Sequence, residues 1–330
     1  MNRPLHTTVP SCLTTVRLRR VLLYACAILL VSSHPASDPA EPLAGLRFLT
    51  NHRSGVVTFP DIGKRGRLGN QLFQIAATVG IAKRNRLEWV FPPTIEDCAA
   101  GKLLVLKTQR PLPKKGQVRV TERSQLYYDV ALKPNDTHSI FAISGYFQSL
   151  RYFENSLSSL KPVLQISGQL IDKVAFAMQH VHLENSIGLH VRRGDYIKLN
   201  NLYGVLDENY YLSAISLARN HNLHNGRIII VSDDVEWCKN YLMAKMGTLG
   251  KKIMFSPFSN DELLDFVLLY LTRHNIIANS SFSWWAAFLK RIHEPSIPRF
   301  VVAPRYRYNT TGRLAYLNAN QIYPSDWILL

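Results

Sequence analysis

Short apolar runs alternate with amphipathic segments throughout the second half of the chain. The apolar runs, rich in β-branched residues and bounded by turn residues, predict strands at 186–191, 227–234, 252–256, 275–280 and 299–305. The segments between them have helical spacing and predict helices at 206–221, 235–246, 260–274 and 281–293. Asn260 is the expected N-cap of the third helix. Strands that alternate with helices predict a parallel sheet covered on both faces.

The first half is less regular but carries similar signals. A helix is predicted at 69–85 after a glycine turn, and strands are predicted at 87–91 and 141–146. Residues 102–123 contain seven basic residues, one acid and two prolines, which indicates an exposed basic loop. The fold class that follows is α/β, with two lobes and a cleft between them.

The N-terminus carries a basic cluster followed by an apolar run. As a helix, the 13 residues at 21–33 span ~20 Å, which is shorter than the ~30 Å hydrocarbon core. The run fits a signal peptide, and it fits a signal anchor if Arg19 and Arg20 reach the interface. We adopt the signal anchor, with a cleaved signal and an unexported apolar helix as alternatives. Because basic residues that flank a membrane segment stay on the cytoplasmic side, the N-terminus would then be cytoplasmic and the body luminal.

The pattern therefore predicts five parts of the chain. They are a cytoplasmic tail at 1–20, a signal segment at 21–33, a stalk at 34–60, a first lobe at 61–183 and a second lobe at 184–330.

The composition limits the chemical class of the binding partner but does not identify it. There are 39 Lys and Arg against 23 Asp and Glu, a formal net charge of +16, which favours polyanionic partners such as nucleic acid, an anionic membrane or a phosphorylated substrate. Zinc-finger spacing and an aromatic RNA-binding signature are missing from the sequence, so we do not expect nucleic acid. Cys98 and Cys238 could form a bridge in an exported protein or remain free buried thiols.

The motif GLHVRRGDY ends a predicted strand at a glycine turn. Because side chains alternate along a strand, His190 and Arg192 share one face and Arg193 takes the other. Open α/β sheets bind ligands at strand carboxyl ends, and a diphosphate offers arginines bidentate partners. Phosphate binding is one interpretation, and a structural ion pair between an arginine and Asp195 is the alternative.

The motif IIANSSFSWWAAF leads from a strand into a helix. Ser280 or Ser281 would cap this helix, whose unpaired backbone amides form an anion site. We interpret this turn, which continues into Phe282, as a ligand contact. The alternative is plain capping, with Trp284 and Trp285 as core residues.

Two further segments have polar residues at element ends. Asp233 follows the strand IIIVS and could contact a ribose or cap the next helix. In GRLGNQLFQ, two glycines permit close backbone approach, and donors at the helix start come from Arg67, Asn70 and Gln71. Simple turn chemistry is the alternative for that segment.

The sequence disfavours several chemistries. It contains no D-x-D pair to hold a divalent cation against a diphosphate, so we expect no metal cofactor. A G-x-S-x-G elbow and a P-loop motif are also missing, which removes support for a serine hydrolase or a P-loop NTPase.

The segments GRLGNQLFQ, SGYFQSLRYF, GLHVRRGDY, VSDD with a later WC, and ANSSFSWWAA occur in one order over about residues 63–330. In this order they resemble the galactoside alpha-1,2-fucosyltransferases of glycosyltransferase family 11. The resemblance implies a GT-B-like architecture of two Rossmann-type lobes and GDP-fucose as donor substrate. It also implies inversion at the anomeric carbon, no obligatory metal or other cofactor, and a single-pass type II protein of the Golgi membrane.

The resemblance also implies roles for residues of the motifs. Arg192 would hold the donor diphosphate, Arg193 would support it or brace the turn, and His190 would orient the site. Asp195 is a candidate base or a brace. Ser281 and Phe282 would flank the nucleotide, and Asn70 would lie near the transferred sugar. Together with the residue-based predictions, the donor site comprises Arg67, Asn70, Arg193, Asp233, Ser280, Ser281 and Phe282.

The expected function is that of a galactoside alpha-1,2-L-fucosyltransferase. It would transfer fucose from GDP-fucose to the 2-hydroxyl of a terminal β-galactose on a glycan acceptor. The alternatives are a fucosyltransferase acting on protein or core glycan, and a non-catalytic exported anion-binding protein. Glycans are expected at the sequons of Asn135 and Asn309, but not at Asn279, which lies in an apolar segment.

Overall fold

The computed structural model describes residues 55–330 apart from 108, 135–138, 222, 224–225, 247–251, 259–260 and 318–321. The predicted tail, signal segment and most of the stalk lie outside the described residues, as do Asn135 and Asn260. Of the helices that are described, none combines the length and hydrophobicity required to cross a bilayer. The membrane anchor therefore stays a prediction.

A four-stranded parallel sheet forms the first lobe. Its strands are β1 Gly55–Thr58, β2 Glu88–Val90, β3 Gln117–Thr121 and β4 Ser139–Ser144, in the order β2-β1-β4-β3. Two predictions are wrong here. The stalk does not reach residue 60, because the short apolar segment 55–58 lies inside the sheet as β1. Residues 102–123 are not only a loop, because β3 is an edge strand, although its Arg119 side chain still reaches solvent.

A six-stranded parallel sheet forms the second lobe. Its strands are β5 Ile187–Val191, β6 Ile228–Ser232, β7 Ile253–Phe255, β8 His274–Ile276, β9 Val301–Ala303 and β10 Ile328–Leu329, in the order β10-β9-β8-β5-β6-β7. The five strands predicted in this half are confirmed, and only β10 was missed. Along β6, Ile228 and Ile230 enter one core cluster, while Ile229 and Val231 enter the other. Burial on both faces explains the continuous apolar runs.

Nine α-helices in the described residues cover the two sheets. They are α1 Leu68–Arg84, α2 Ala99–Leu103, α3 Leu157–Val163, α4 Gly168–Ala177, α5 Gly194–Lys198, α6 Glu208–Asn220, α7 Val235–Trp237, α8 Glu262–Leu271 and α9 Ser281–His293. α7 continues into a π-helical turn, Cys238–Leu242. The N-cap of α8 is Asp261 rather than Asn260, because the Asp261 carboxylate accepts hydrogen bonds from the backbone N–H groups of Leu263 and Leu264.

Helices α1 and α9 pack against each other at the centre of the molecule. The Phe73 ring of α1 lies 4.7 Å from the Trp284 ring and 5.0 Å from the Trp285 ring, measured between centroids. Both tryptophans are buried, as the core alternative for them required. The same apolar cluster includes β1 and β4 of the first lobe and α8 of the second. The two sheets therefore share one core, in an α/β fold with two parallel-sheet lobes as predicted.

In each sheet, the other strands lie on both sides of the first strand in the chain, so the strand order has a switch point. In the second sheet, β6 and β7 extend to one side of β5, whereas β8, β9 and β10 extend to the other. In the first sheet, β2 lies on one side of β1, whereas β4 and β3 lie on the other. Open parallel sheets bind ligands at the strand carboxyl ends beside such switch points. The segments that follow β1, β4, β5 and β8 are therefore the places where a site is expected.

A close contact between helix starts makes Gly69 intolerant of a side chain. A Cβ at Gly69 would lie 2.4 Å from the Ser281 carbonyl carbon, whereas a Cβ at Gly168 would meet nothing within 4 Å. We predict that Gly69→Ala lowers the free energy of unfolding by about 1–3 kcal/mol, because backbone must move to admit the methyl group.

Gly168→Ala is the matched control and is expected to be neutral or stabilising by less than about 1 kcal/mol. Denaturant unfolding of both variants measures the difference. Equal stability of the two variants would contradict the close approach of α1 and α9.

Candidate active site

A cleft of about 1130 Å³ opens at the carboxyl ends of the strands. It is lined by the segments that follow β5, β6 and β8 in the second lobe, and β1 and β4 in the first. Nine of the ten predicted catalytic and donor-binding residues line it: Arg67, Asn70, His190, Arg192, Asp195, Asp233, Ser280, Ser281 and Phe282. Strand ends from opposite lobes thus bring together motifs far apart in sequence.

Arg192 is held between two carboxylates at the end of β5. Its Nη2 atom lies 2.5 Å from Asp195 Oδ1, and its Nη1 atom lies 2.8 Å from Asp233 Oδ2. The Arg192 side chain is only 17% exposed, so these ion pairs are partly desolvated. The ion-pair alternative is therefore realised, yet Arg192 still lines the cleft. A bound anion would have to share Arg192 with the two carboxylates or displace one of them.

Arg193 points to a different environment. Its Nε atom lies 3.1 Å from Asp234 Oδ2, and its guanidinium carbon lies 4.1 Å from the centre of the Trp237 ring. Arg193 does not line the cleft, because side chains alternate at the strand end. Its position fits the brace predicted as one of its two roles, and does not place it against a donor in the cleft.

Asp234, rather than Asp233, caps the helix that follows β6. Asp234 caps α7, since its carboxylate accepts a hydrogen bond from Trp237 N at 3.1 Å. Asp233 accepts from the backbone N–H of Arg193 at 2.8 Å and pairs with Arg192. A Cβ at Gly194 would lie 2.5 Å from Asp233 Oδ2, so the glycine of the turn makes room for this carboxylate.

His190 is buried beneath the cleft and is neutral. Its Nδ1 atom lies 2.8 Å from Ser283 Oγ, and its ring centre lies 5.2 Å from that of Phe282. Burial, with a smaller contribution from Arg192, lowers the pKa of His190 to about 3. A neutral imidazole held by Ser283 has a fixed orientation and does not supply positive charge.

Two helix N-termini meet at the cleft. The Ser280 hydroxyl accepts a hydrogen bond from the Phe282 N–H at 3.3 Å and caps α9. Asn70 in the first turn of α1 accepts a hydrogen bond from the Ser281 hydroxyl at 3.2 Å, and Gln148 donates to the same Asn70 oxygen. The first turns of α1 and α9 contain no acidic residue. The partial positive charge of α9 therefore reaches the cleft and favours an anion, while that of α1 is partly compensated by the Glu262 carboxylate, which accepts a hydrogen bond from the backbone N–H of Leu68.

A loop after β4 supports Asn70 from the first lobe. The Glu122 carboxylate accepts hydrogen bonds from the backbone N–H groups of Tyr146, at 2.6 Å, and Phe147, at 2.9 Å. Phe147 has a φ of 49°, which is unfavourable for a residue with a bulky side chain, so these bonds hold a strained turn. The turn places Tyr146 and Gln148 in the cleft. Sequence reasoning placed Glu122 in the basic loop and missed this function.

Two carboxylates of α8 also line the cleft and were missed. Glu262 accepts a hydrogen bond from the backbone N–H of Leu68, and Asp265 is hydrogen-bonded to Ser256. Burial raises the pKa of both carboxyls, against the opposing effects of Arg67 and Arg192 on Glu262 and of Ser256 on Asp265. They occur in an ordinary amphipathic helix, where the sequence shows no sign of their convergence.

The cleft is not the source of the strong positive charge of the chain. Among the described residues that line it, the arginines are Arg67, Arg192, Arg307 and Arg313. The carboxylates are Asp195, Asp233, Asp234, Glu236, Glu262 and Asp265. Because carboxylates outnumber arginines, selection of an anion here depends on local donors rather than on a uniformly basic surface.

The remaining predicted sites are accounted for as follows. Cys98 and Cys238 are both free, so they do not form the disulfide considered as one alternative. Asn279 is buried, whereas Asn309 is partly exposed and donates from Nδ2 to Asn200 O at 2.8 Å. Gln71 is buried and braces Gly66 rather than lining the cleft. In the described part of the chain, no three His, Cys, Asp or Glu side chains are grouped to hold a metal ion.

The low pKa of His190 predicts a pH dependence of stability. Below about pH 6.5 the unfolded chain binds a proton at this position, and the folded chain does not until about pH 3. The free energy of unfolding should therefore fall as the pH drops through this window. We predict that His190→Gln makes the dependence shallower by up to about 1.4 kcal/mol per pH unit between pH 6 and 4.

Urea unfolding at several pH values measures the slope. His180→Gln, at an exposed position, is the control and should keep the wild-type slope. An unchanged slope in His190→Gln would mean that the imidazole is charged in the folded protein.

Comparison with known proteins places this cleft in a family. The model of glycosyl transferase family 11 matches residues 50–303. Alpha-1,2-colitosyltransferase of Escherichia coli is 31% identical, with 44% of this chain and 50% of that protein covered. Galactoside 2-alpha-L-fucosyltransferase SEC1 of Bos taurus is 24% identical, with 72% of this chain and 65% of that protein covered.

A crystal structure of POFUT1 in complex with GDP has a TM-score of 0.48 and 10% identity, covering 76% of this chain and 98% of that chain. The chain spans between half and two thirds of the length of the two curated relatives. Because the family model covers most of the sequence, including every segment that lines the cleft up to β9, the chain belongs to glycosyl transferase family 11.

Proposed function

We propose that this protein transfers L-fucose from GDP-fucose to the 2-hydroxyl of a terminal β-galactose. Membership of family 11 and the name of the Bos taurus relative support the reaction class. The observation that carries the proposal is the convergence of Arg192 with the N-termini of α1 and α9 at the switch points of both sheets. A nucleotide diphosphate is the kind of ligand that such a convergence of donors selects.

The order of the strands suggests how the donor lies. The diphosphate would lie between the ends of β5 and β8, against Arg192 and the amides that follow Ser280. Asp233 follows β6, on one side of this point, and would accept a hydrogen bond from the ribose. Asn70, bonded to Ser281 across the cleft, would face the transferred sugar from the first lobe.

The chemistry that we propose depends on stabilising the leaving GDP. Negative charge develops on the diphosphate as the glycosidic bond breaks, and Arg192 and the helix amides are fixed donors for that charge. The reaction would need no metal ion in this arrangement. The galactose hydroxyl would attack the anomeric carbon from the face opposite GDP, so the configuration inverts and the proton passes to a base.

Asp195 is the base that we propose. It borders Arg192 at the centre of the cleft, and its second oxygen lies 3.8 Å from Arg67 Nη2. A carboxylate at this place can receive a proton from a hydroxyl that approaches the sugar carbon beside the diphosphate.

The role of Arg192 is tested by substitution. We predict that Arg192→Ala lowers kcat by about 10²- to 10³-fold with GDP-fucose and lactose, because the leaving group loses a charged donor. Arg192→Lys should recover part of the rate, since a charge without the planar fork remains. Release of GDP and the mass of the trisaccharide product measure the reaction.

Arg291→Ala is the matched control, since Arg291 also forms an ion pair, with Asp326, but lies outside the cleft. It should keep the wild-type rate. If Arg192→Ala keeps near-normal turnover while remaining folded, the assignment of the donor site is wrong.

The role of Asp195 gives a separate test. Asp195→Asn keeps an oxygen that Arg192 can donate to but removes the proton acceptor. We predict a loss in kcat of about 10²- to 10⁴-fold, with little change in KM for GDP-fucose. A wild-type kcat in this variant would assign proton transfer to another group, such as Glu262.

A second candidate concerns the donor sugar. The Escherichia coli relative with 31% identity is named a colitosyltransferase, which favours a nucleotide-activated colitose as the alternative to GDP-fucose. Rates with the two donors, measured against lactose, peptides and N-glycan cores, separate these candidates from a transferase of protein or core glycan. If no combination of donor and acceptor releases GDP, a non-catalytic anion-binding protein is favoured.

A further inference from the structure

Three tyrosines form a stack along one part of the cleft. The Tyr196 and Tyr203 rings lie 4.5 Å apart between centroids at an angle of 13°, and the Tyr203 and Tyr308 rings lie 5.7 Å apart at 28°. All three residues line the cleft. We call Tyr196, Tyr203 and Tyr308 the tyrosine stack. Because Tyr203 lies between the other two rings, its faces are largely covered, yet the residue is partly exposed at the cleft.

The tyrosine stack begins beside the proposed donor site and leads away from it. The guanidinium carbon of Arg192 lies 5.4 Å from the centre of the Tyr196 ring, so the first ring borders the central arginine. Tyr308 follows β9, which lies beyond β8 in the sheet, whereas Asp233 follows β6 on the other side of β5. The strand order therefore separates an acidic part of the cleft on the β6 side from an aromatic part on the β9 side, where Arg307 and Arg313 also line the cleft.

The opposite wall of the aromatic part comes from the first lobe. Tyr146 and Gln148 line the cleft on the turn that Glu122 holds, and Tyr146 is 37% exposed. Tyr146 and Gln148 also line a smaller pocket together with Arg307 and Tyr308, so residues of both lobes lie close together there. Leu199, Leu202 and Leu314 also line the cleft. This part thus combines apolar and aromatic surface with hydroxyl and amide groups and with the guanidinium groups of Arg307 and Arg313.

These properties match those of a sugar. A pyranose ring carries apolar C–H faces and a rim of hydroxyl groups, so it needs both apolar surface and neutral hydrogen-bond partners. Tyrosine supplies both on one rigid side chain at low conformational cost. Burial raises the pKa of Tyr203, and raises that of Tyr196 to about 12, so both remain neutral. The Tyr196 hydroxyl donates to the Asn279 carbonyl at 3.4 Å, which leaves the Tyr203 hydroxyl for a ligand.

We propose that the tyrosine stack and Tyr146 form the subsite that binds the sugar acceptor, an inference that rests on the proposed transfer reaction. The terminal β-galactoside enters on the β9 side and lies between Tyr203 and Tyr146. Its attacking hydroxyl reaches Asp195, which directly precedes Tyr196 in the chain and bonds Arg192. The nucleotide base then lies at the far end of the cleft, beyond Asp233.

The same aromatic surface could in principle hold guanine, and kinetics separate the two ligands. We expect Tyr203→Phe, which keeps the stack but removes the hydroxyl, to raise KM for lactose about 3- to 10-fold. Tyr146→Ala should raise KM for lactose by at least as much, and KM for GDP-fucose should stay within about twofold of wild type in both variants. Tyr316→Ala is the control, because Tyr316 is 60% exposed and does not line the cleft.

An increase of KM for GDP-fucose in these variants, with an unchanged KM for lactose, would assign the surface to guanine and overturn the proposal. Unchanged constants for both substrates would overturn it as well. Hydrolysis of GDP-fucose without acceptor tests the proposed function separately. If the wild type neither hydrolyses nor transfers fucose, saturation-transfer NMR with methyl β-galactoside still decides the inference. A signal lost in Tyr203→Phe and kept in Tyr316→Ala supports the subsite, and no wild-type signal refutes it.

Discussion

The near contact between the first turns of α1 and α9 determines the geometry of the whole site. Gly69 lies so close to the Ser281 backbone that the two helices meet without intervening side chains. The aromatic packing of Phe73 with Trp284 and Trp285 fixes the same helices one turn further along. Because one helix belongs to each lobe, this contact sets the distance between the two sheets. The cleft has its width because neither helix can move closer or separate without disturbing a buried core.

The site combines fixed dipoles with a small number of compensated charges. Two helix starts supply partial positive charge that never varies with pH, while Arg192 shares its charge with Asp195 and Asp233. A partly buried arginine without such partners would carry a high desolvation cost. The carboxylates thus keep Arg192 in a defined position, and an incoming anion competes for an arginine that is already oriented. Such preorganisation is where proteins gain most in stabilising developing charge.

Much of the second lobe could be predicted from the sequence, because its parallel strands are buried on both faces and read as continuous apolar runs. Alternation along β5 placed His190 and Arg192 on one face and Arg193 on the other, as the structure has them. The first lobe was harder to predict, since β1 has only four residues and β3 is an edge strand within a basic segment. The pattern of apolar and polar residues does not identify contacts between segments that are distant in the sequence. The pairing of Asp233 with Arg192, and the turn that Glu122 holds, depend on contacts between segments distant in the chain.

The position of β3 at the edge of the first sheet has a consequence for the behaviour of the protein in concentrated solution. One side of β3 pairs with β4, and no further strand of the sheet follows on its other side within the described residues. An uncovered strand edge is a template for association with another chain, and lysine or arginine residues along it oppose that association by repulsion. Arg119 lies within β3, with Lys114, Lys115 and Arg123 beside it. The positive charge along this segment therefore opposes the pairing of β3 with a strand of a second molecule.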